Sequence, residues 1–141
     1  MPATPAISFL VCTRNRAEVA RECVRRLLSS PREDIEVVVR DNCSTDETLE
    51  LLRRIEDPRL KVYAAPENQG TISFFEIAKL ASGRIVTWLS DEDDFQFEHL
   101  DAVLAGFDGN ANCNVLFGSI LVGAARRVRL TVEPDAFTIV V

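Results

Sequence analysis

Four consecutive carboxylates, Asp91, Glu92, Asp93 and Asp94, follow directly after an apolar run at residues 85–90. A short apolar run rich in β-branched and aromatic residues predicts a buried strand. Carboxylates at its exit would lie at the carboxyl edge of a sheet, where open α/β sheets bind their ligands. Their mutual repulsion favours a divalent cation that carries a phosphate ligand, whereas a solvated acidic turn is the simpler alternative.

Two earlier loops carry polar side chains at the same predicted edge. Thr13 and Arg16 follow a strand predicted at residues 7–12, and Asp41 follows one predicted at residues 35–40. Asp41 could accept a hydrogen bond from a nucleobase amide or a ribose hydroxyl, although Asp-Asn is also a good turn pair. Arg16 could meet a phosphate, and a surface charge is the alternative.

The elements that position these loops alternate between strands and helices. Apolar periodicity predicts a β-α-β-α-β-α-β order up to the acidic cluster, followed by another amphipathic helix and short C-terminal strands. This order implies an α/β fold in which a mostly parallel central sheet is flanked by helices joined through right-handed crossovers. We expect a single domain over residues 1–141.

Three local predictions concern helix ends and packing. The spacing of Ser44 and Glu47 predicts a capping box, in which each side chain bonds to the backbone of the other residue. The largely apolar helix predicted at residues 71–81 should be buried on most sides, with Phe74 and Phe75 packed inside. Trp88 is predicted to be a core residue rather than a stacking platform.

The composition excludes several classes of protein. The 141 residues include 22 acidic and 16 basic side chains, a formal charge of −6, which argues against a nucleic-acid-binding module. The four cysteines form no C-x-x-C pair and there is one histidine, so we expect reduced thiols and no zinc site. With no signal peptide or membrane-spanning run, we expect a cytoplasmic protein.

An ordered set of motifs resembles those of family 2 glycosyltransferases. Residues 12–16 resemble the Pro-Thr-x-Asn-Arg loop of that family, with Cys in place of Pro, and residues 41–46 resemble its Asp-Asn-x-Ser-Thr-Asp segment. The later motifs are Asn-x-Gly at 68–70, Ala-x-Gly at 81–83 and Asp-x-Asp at 91–93. Each motif is weak alone, but their order and spacing make the resemblance specific over about residues 6–107.

This resemblance implies a Rossmann-like GT-A fold that binds a nucleotide-diphosphate sugar. The expected donor is UDP-linked, and the expected cofactor is a divalent cation, Mn²⁺ or Mg²⁺. The implied activity is inverting, metal-dependent transfer of the sugar to an acceptor that the sequence does not name.

The same resemblance implies roles for individual residues. Thr13 and Asp41 match positions that hold the nucleoside. Asp91 matches the first Asp of the Asp-x-Asp motif, near the ribose and the metal, and Asp93 matches the second, which is the usual metal ligand. The further donor-side candidates are Arg16 and Asn68.

The length of the chain limits what the resemblance implies. Residues 6–107 would be the nucleotide-sugar-binding half, and residues 108–141 would be short strands of an acceptor side that is mostly lacking. The general base of such enzymes is usually an Asp or Glu. Glu133 and Asp135 are the carboxylates among the last thirty residues, and neither has a recognisable context, so the base stays unassigned.

Two other functions remain open at this point. A non-catalytic nucleotide-sugar-binding or assembly module would keep the same fold, and its apolar end at residues 136–141 could pair with a second copy to make a homodimer. A metal-dependent phosphohydrolase could use the same acidic cluster.

Overall fold

The structure, a computed structural model, describes residues 4–109 and, beyond them, the backbone of strands at 120–122, 126–128, 130–133 and 136–139. The chain forms two compact units, residues 1–95 and residues 96–141. Every candidate site residue lies in the first unit. The expected division between donor and acceptor sides near residue 107 stays a prediction.

The first unit is built on a four-stranded parallel sheet in the order β3-β2-β1-β4. Its strands are β1 (Ile7–Thr13), β2 (Ile35–Asp41), β3 (Leu60–Ala64) and β4 (Ile85–Leu89). The two central strands are almost entirely buried, as expected for a parallel sheet that is covered on both faces. The predicted α/β fold with a parallel sheet is therefore confirmed.

The strand register brings three strand exits to one edge. Thr13 at the end of β1 is aligned with Asp41 at the end of β2, and Asp41 is aligned with Ala64 at the end of β3. On the other side, Val11 of β1 is aligned with Leu89, the last residue of β4. The loops that follow β1, β2 and β4 consequently start side by side.

Three helices connect these strands: α1 (Ala17–Leu28), α2 (Thr48–Arg53) and α3 (Ile72–Ala78). Helix α1 buries one apolar face, which is formed by Ala20, Cys23, Val24 and Leu27. Helix α3 packs on the sheet through Ile77, which forms a buried cluster with Leu10 of β1 and Val38 of β2.

The predicted burial of three aromatic side chains is wrong. Phe74 is 45% exposed, Phe75 69% and Trp88 49%. Helix α3 has only seven residues, and its buried positions are Ser73 and Ile77, so its other sides face outward. Trp88 lies on β4, which within the described sheet pairs with β1 alone, and the indole N–H of Trp88 donates to the Phe74 carbonyl at 3.1 Å.

The predicted capping box is also wrong. Helix α2 begins at Thr48, so Ser44 lies too far upstream to cap it, and the Ser44 hydroxyl donates to Asp41 instead. The N-cap residue is Glu47, whose side chain makes no capping hydrogen bond, while the carboxylate of Asp46 accepts from the Thr48 amide at 3.0 Å. The pattern misplaced the helix start because the Ser44 hydroxyl oxygen accepts from the Asn15 backbone amide at 2.8 Å instead of from the amide of Glu47.

A buried carboxylate lies at the amino end of the sheet, opposite to the converging loops. Glu36, the second residue of β2, accepts hydrogen bonds from Lys61 and from the Ser8 hydroxyl. It also accepts from the amide of Ser82 at 2.8 Å and from the Ser82 hydroxyl at 2.5 Å. Burial raises the pKa of Glu36, but these hydrogen bonds outweigh burial and hold the pKa at about 2.

The second unit begins with a 3-10 helix at Phe97–His99 and continues as α4 (Leu100–Asp108). Its strands form two antiparallel pairs, β5 (Ile120–Val122) with β6 (Arg126–Val128), and β7 (Leu130–Glu133) with β8 (Ala136–Ile139). The predicted short C-terminal strands are therefore confirmed. Since β8 pairs with β7 of the same chain, a homodimer through this segment stays a prediction.

Helices of the described residues are too short or too polar to cross a bilayer.

Candidate functional site

Asp91 is the centre of the polar cluster at the carboxyl edge. It is 3% exposed, and its carboxylate accepts from the Thr13 hydroxyl at 2.8 Å and from Arg16 Nη1 at 2.8 Å. Thr13 and Arg16 come from the loop after β1, and Asp91 from the loop after β4. The fold therefore brings Asp91 to Thr13 and Arg16, two predicted site residues that precede it by 78 and 75 positions.

Arg16 spans two members of the acidic cluster. Its guanidinium pairs with Asp91 through Nη1 and with Glu92 through Nη2. The Arg16 side chain is 38% exposed and that of Glu92 63%, so this end of the network faces solvent. The mutual repulsion that the sequence predicts among these carboxylates is thus partly neutralised by an internal cation.

Asp41 organises the loop that follows β2. It is 1% exposed, and it accepts from the Ser44 amide at 3.0 Å and from the Ser44 hydroxyl. Within this loop Cys43 has a positive φ of 61°. The turn role considered for Asp41 is therefore confirmed. Because a carboxylate has about four acceptor positions, Asp41 retains capacity for another donor.

Asn15 joins the loops that follow β1 and β2. Its backbone amide donates to the Ser44 hydroxyl at 2.8 Å, and its side-chain oxygen accepts from the Thr45 backbone amide at 2.7 Å. Its φ of 53° lies in the left-handed region, which Asn tolerates better than most residues. Sequence reasoning did not identify this role, although an Asn at a strand exit is a signal for it.

Asn68 is held on the Asp41 side of the cluster. Its side-chain oxygen accepts from the Asn42 amide group at 2.9 Å and from the Gly70 backbone amide at 3.1 Å. Asn42 is buried, and its own oxygen accepts from the Gln69 amide at 2.9 Å. The residues 42 and 68–70 therefore form one hydrogen-bonded unit, and the importance of Asn42 was missed from the sequence.

Asp93 differs from Asp91 in its exposure and its partners. It is exposed, and one carboxylate oxygen accepts from the Ser90 amide at 2.9 Å. Within residues 4–109 the other oxygen of Asp93 has no hydrogen-bond donor. The neighbouring Asp94 instead lies 3.8 Å from Arg26 Nε as an exposed ion pair.

These carboxylates fit one type of metal site. Among the described residues, no three His, Cys, Asp or Glu side chains come together to hold an ion by themselves. Mg²⁺ is commonly held by one or two carboxylates together with substrate phosphates. The free oxygen of Asp93 fits an ion that is shared with a diphosphate.

Comparison of the sequence with known proteins identifies a family and several relatives. The profile described as Glycosyl transferase family 2 matches residues 8–129. TuaG of Bacillus subtilis (strain 168), a glycosyltransferase named for teichuronic acid biosynthesis, is 27% identical over 103 residues, 71% of this chain and 41% of TuaG. The succinoglycan biosynthesis protein ExoO of Rhizobium meliloti is 35% identical over 66 residues, 47% of this chain and 19% of ExoO.

Solved structures show the same fold. TarS of S. aureus, residues 1–349, superposes with a TM-score of 0.64 and 30% identity, covering 73% of this chain and 32% of that one. The mannosyltransferase PcManGT of Pyrobaculum calidifontis superposes with a TM-score of 0.57 and 28% identity, covering 64% and 28%. The predicted GT-A fold is confirmed, and the chain spans less than half the length of each of these proteins.

Proposed function

Because the chain belongs to glycosyl transferase family 2, we propose that its parallel sheet binds the nucleotide-diphosphate sugar donor of a metal-dependent, inverting glycosyltransferase. The observation that carries this proposal is the convergence of Thr13, Arg16 and Asp91 in one hydrogen-bonded cluster at the carboxyl edge. Ligands of open α/β sheets bind at this edge. TarS has been solved with UDP and with UDP-GlcNAc, and PcManGT with GDP-Man and Mn²⁺.

The nucleoside would lie against the loops after β1 and β2. Asp41 is rigidly held by Ser44 and retains acceptor capacity for a base amide or a ribose hydroxyl. Thr13 borders the same position, since its carbonyl oxygen accepts from the Asn42 amide at 2.8 Å. Loops that are already ordered before binding lower the entropic cost of binding the donor.

The diphosphate would lie near the acidic loop after β4. Asp93 would hold a divalent cation through its free oxygen, and that cation would neutralise the diphosphate and stabilise it as a leaving group. Asp91 would keep the loop in place through Thr13 and Arg16. An acceptor hydroxyl would attack the anomeric carbon from the opposite face, and a base that these residues do not supply would remove its proton.

The test is titration calorimetry with UDP in the presence and absence of Mn²⁺. We expect the protein to bind UDP more tightly with Mn²⁺, and Asp93→Ala to lower that affinity at least about tenfold, because a metal ligand is lost. Asp94→Ala is the matched control, since it removes an adjacent exposed carboxylate that pairs with Arg26. Absence of UDP binding under both conditions would overturn the proposal, and a parallel titration with GDP would show which nucleoside is preferred.

A further inference from the structure

Arg40 is a buried cation one residue before Asp41. It is 9% exposed and lies on β2 in register with Cys12 of β1 and Tyr63 of β3. Burying a guanidinium costs several kcal/mol unless its charge and its N–H donors are satisfied. The partners of Arg40 are therefore informative about its role.

Both described partners of Arg40 are neutral. Nε donates to the Ser73 hydroxyl at 3.1 Å, and Nη2 donates to the side-chain oxygen of Gln69 at 2.5 Å. Within residues 4–109 no carboxylate lies at ion-pair distance from Arg40, and the nearby Glu76 pairs with Lys79. A planar guanidinium that donates in two fixed directions can hold two elements at once, which a lysine ammonium does less precisely.

The two partners flank the start of α3. Ser73 belongs to its first turn, and Gln69 belongs to the loop at residues 66–71 that contains Asn68. Gln69 is held twice, because its backbone amide donates to Asn42 while its side chain accepts from Arg40. Gly70 follows with a φ of +53°, in the left-handed region that glycine adopts without strain.

We propose that Arg40 is a positioning residue for the donor site, which holds Gln69 and Ser73 and thereby fixes the loop that presents Asn68. This inference rests on the proposed donor site for its functional meaning. It does not require Arg40 to touch the donor. It assigns the energetic cost of burying this cation, which within residues 4–109 has no carboxylate at ion-pair distance, to the ordering of one loop.

Amide hydrogen exchange of the protein tests the anchoring directly. In Arg40→Met we expect the Gln69 and Gly70 amides to exchange at least about tenfold faster, while the amides of Val37 and Val39 in the same strand keep their protection. Arg40→Lys should show the same local effect. Arg53→Met, at an exposed arginine of α2, is the matched control and should change none of these rates.

Unchanged exchange at Gln69 and Gly70 in both Arg40 variants would overturn the proposal. An equal increase across the whole sheet, with a lower unfolding temperature, would overturn it as well, because Arg40 would then support the fold in general. This readout needs no nucleotide, so it stands even if UDP does not bind and the proposed function fails.

UDP titration in the presence of Mn²⁺ then tests the link to the donor site. Arg40→Met and Gln69→Leu should each lower the affinity about tenfold. The double variant should bind no more weakly than Arg40→Met, because that single variant has already removed the attachment of Gln69. Additive losses, or an unchanged affinity, would contradict the positioning role.

Discussion

Two buried carboxylates, Glu36 and Asp91, lie at opposite ends of the same parallel sheet and are satisfied in different ways. Glu36 is 2% exposed and Asp91 3%, so burial does not distinguish them. Glu36 receives hydrogen bonds from three segments of the chain, through Ser8, Lys61 and Ser82. Asp91 receives one from a hydroxyl and one from Arg16, whose guanidinium also pairs with the exposed Glu92.

The difference shows what marks a ligand site on such a sheet. At the amino end Lys61 also donates to the Ser82 hydroxyl, so the hydrogen bonds close on Glu36, although the Lys61 side chain is 40% exposed. The charge of Glu36 is thus used to hold β1, β2, β3 and the turn before β4 together. At the carboxyl edge the network opens through Arg16 and Glu92 to solvent, and Asp93 keeps a free oxygen. A buried acid is thus a functional candidate when its hydrogen-bond network continues to further exposed charged groups, as that of Asp91 does through Arg16 to Glu92.

The largest expected effect is on stability at the closed end of the sheet, which is the amino end around Glu36. Glu36→Gln would remove the charge from a buried side chain that accepts four hydrogen bonds. We expect the free energy of unfolding to fall by about 3 kcal/mol, because charge-assisted hydrogen bonds are lost while the Lys61 ammonium, which is 40% exposed, stays in contact with water. Urea unfolding followed by circular dichroism measures this. Glu76→Gln is the matched control, because the Glu76–Lys79 pair lies at the surface and should contribute less than about 1 kcal/mol. Equal losses of unfolding free energy in both variants would contradict a special structural role of Glu36.

Acid should act on the closed end in a defined range of pH. The pKa of Glu36 is about 2 in the folded protein and ordinarily 4.5. Between these two values Glu36 is protonated in the unfolded chain and ionised in the folded protein, so lowering the pH favours unfolding. This contribution to stability is complete above pH 4.5 and is lost as pH falls towards 2. Urea midpoints between pH 5 and pH 2.5 should therefore fall more steeply for the wild type than for Glu36→Gln, and parallel curves would refute this.

At the carboxyl edge, around Asp91, replacing a carboxylate by an amide should alter ligand binding rather than stability. Asp91→Asn keeps the size of the side chain but removes the charge that holds Arg16, and we expect UDP affinity with Mn²⁺ to fall about 100-fold. The free energy of unfolding should change by about 1 kcal/mol. Calorimetry and urea unfolding on the same sample measure both quantities. A stability loss as large as that of Glu36→Gln would make Asp91 a structural acid.

The smallest expected effect concerns the backbone beside Glu36. A Cβ added at Gly83 would lie 2.5 Å from the Ser8 hydroxyl oxygen and 2.7 Å from the Ser8 amide nitrogen. We expect Gly83→Ala to lower the free energy of unfolding by about 2 kcal/mol, because β1 must shift to admit the methyl group. UDP affinity should stay within about threefold of the wild type. A neutral effect in urea unfolding would mean that the close approach is relaxed at little cost.

The fold was more predictable than the packing at its surface. Apolar runs marked all four strands, although only the central β1 and β2 are buried as strands covered on both faces are, and β3 and β4 are partly exposed. The same signal misplaced Phe74 and Phe75, since an apolar composition does not reveal that α3 has only seven residues and one buried side. It also misplaced Trp88, since a run of five residues does not state whether its strand is central or at the edge of the described sheet.

The sequence by itself determined the order of strands and helices and the identity of the polar residues at their exits, because periodicity and composition are local properties. The tertiary structure alone decided which of those residues meet. It joined Arg16 to Asp91, attached Arg40 to Gln69, and enclosed Glu36 among donors that are up to 46 residues away. Hydrogen bonds between distant segments depend on strand order and register, which are set by packing of the whole sheet.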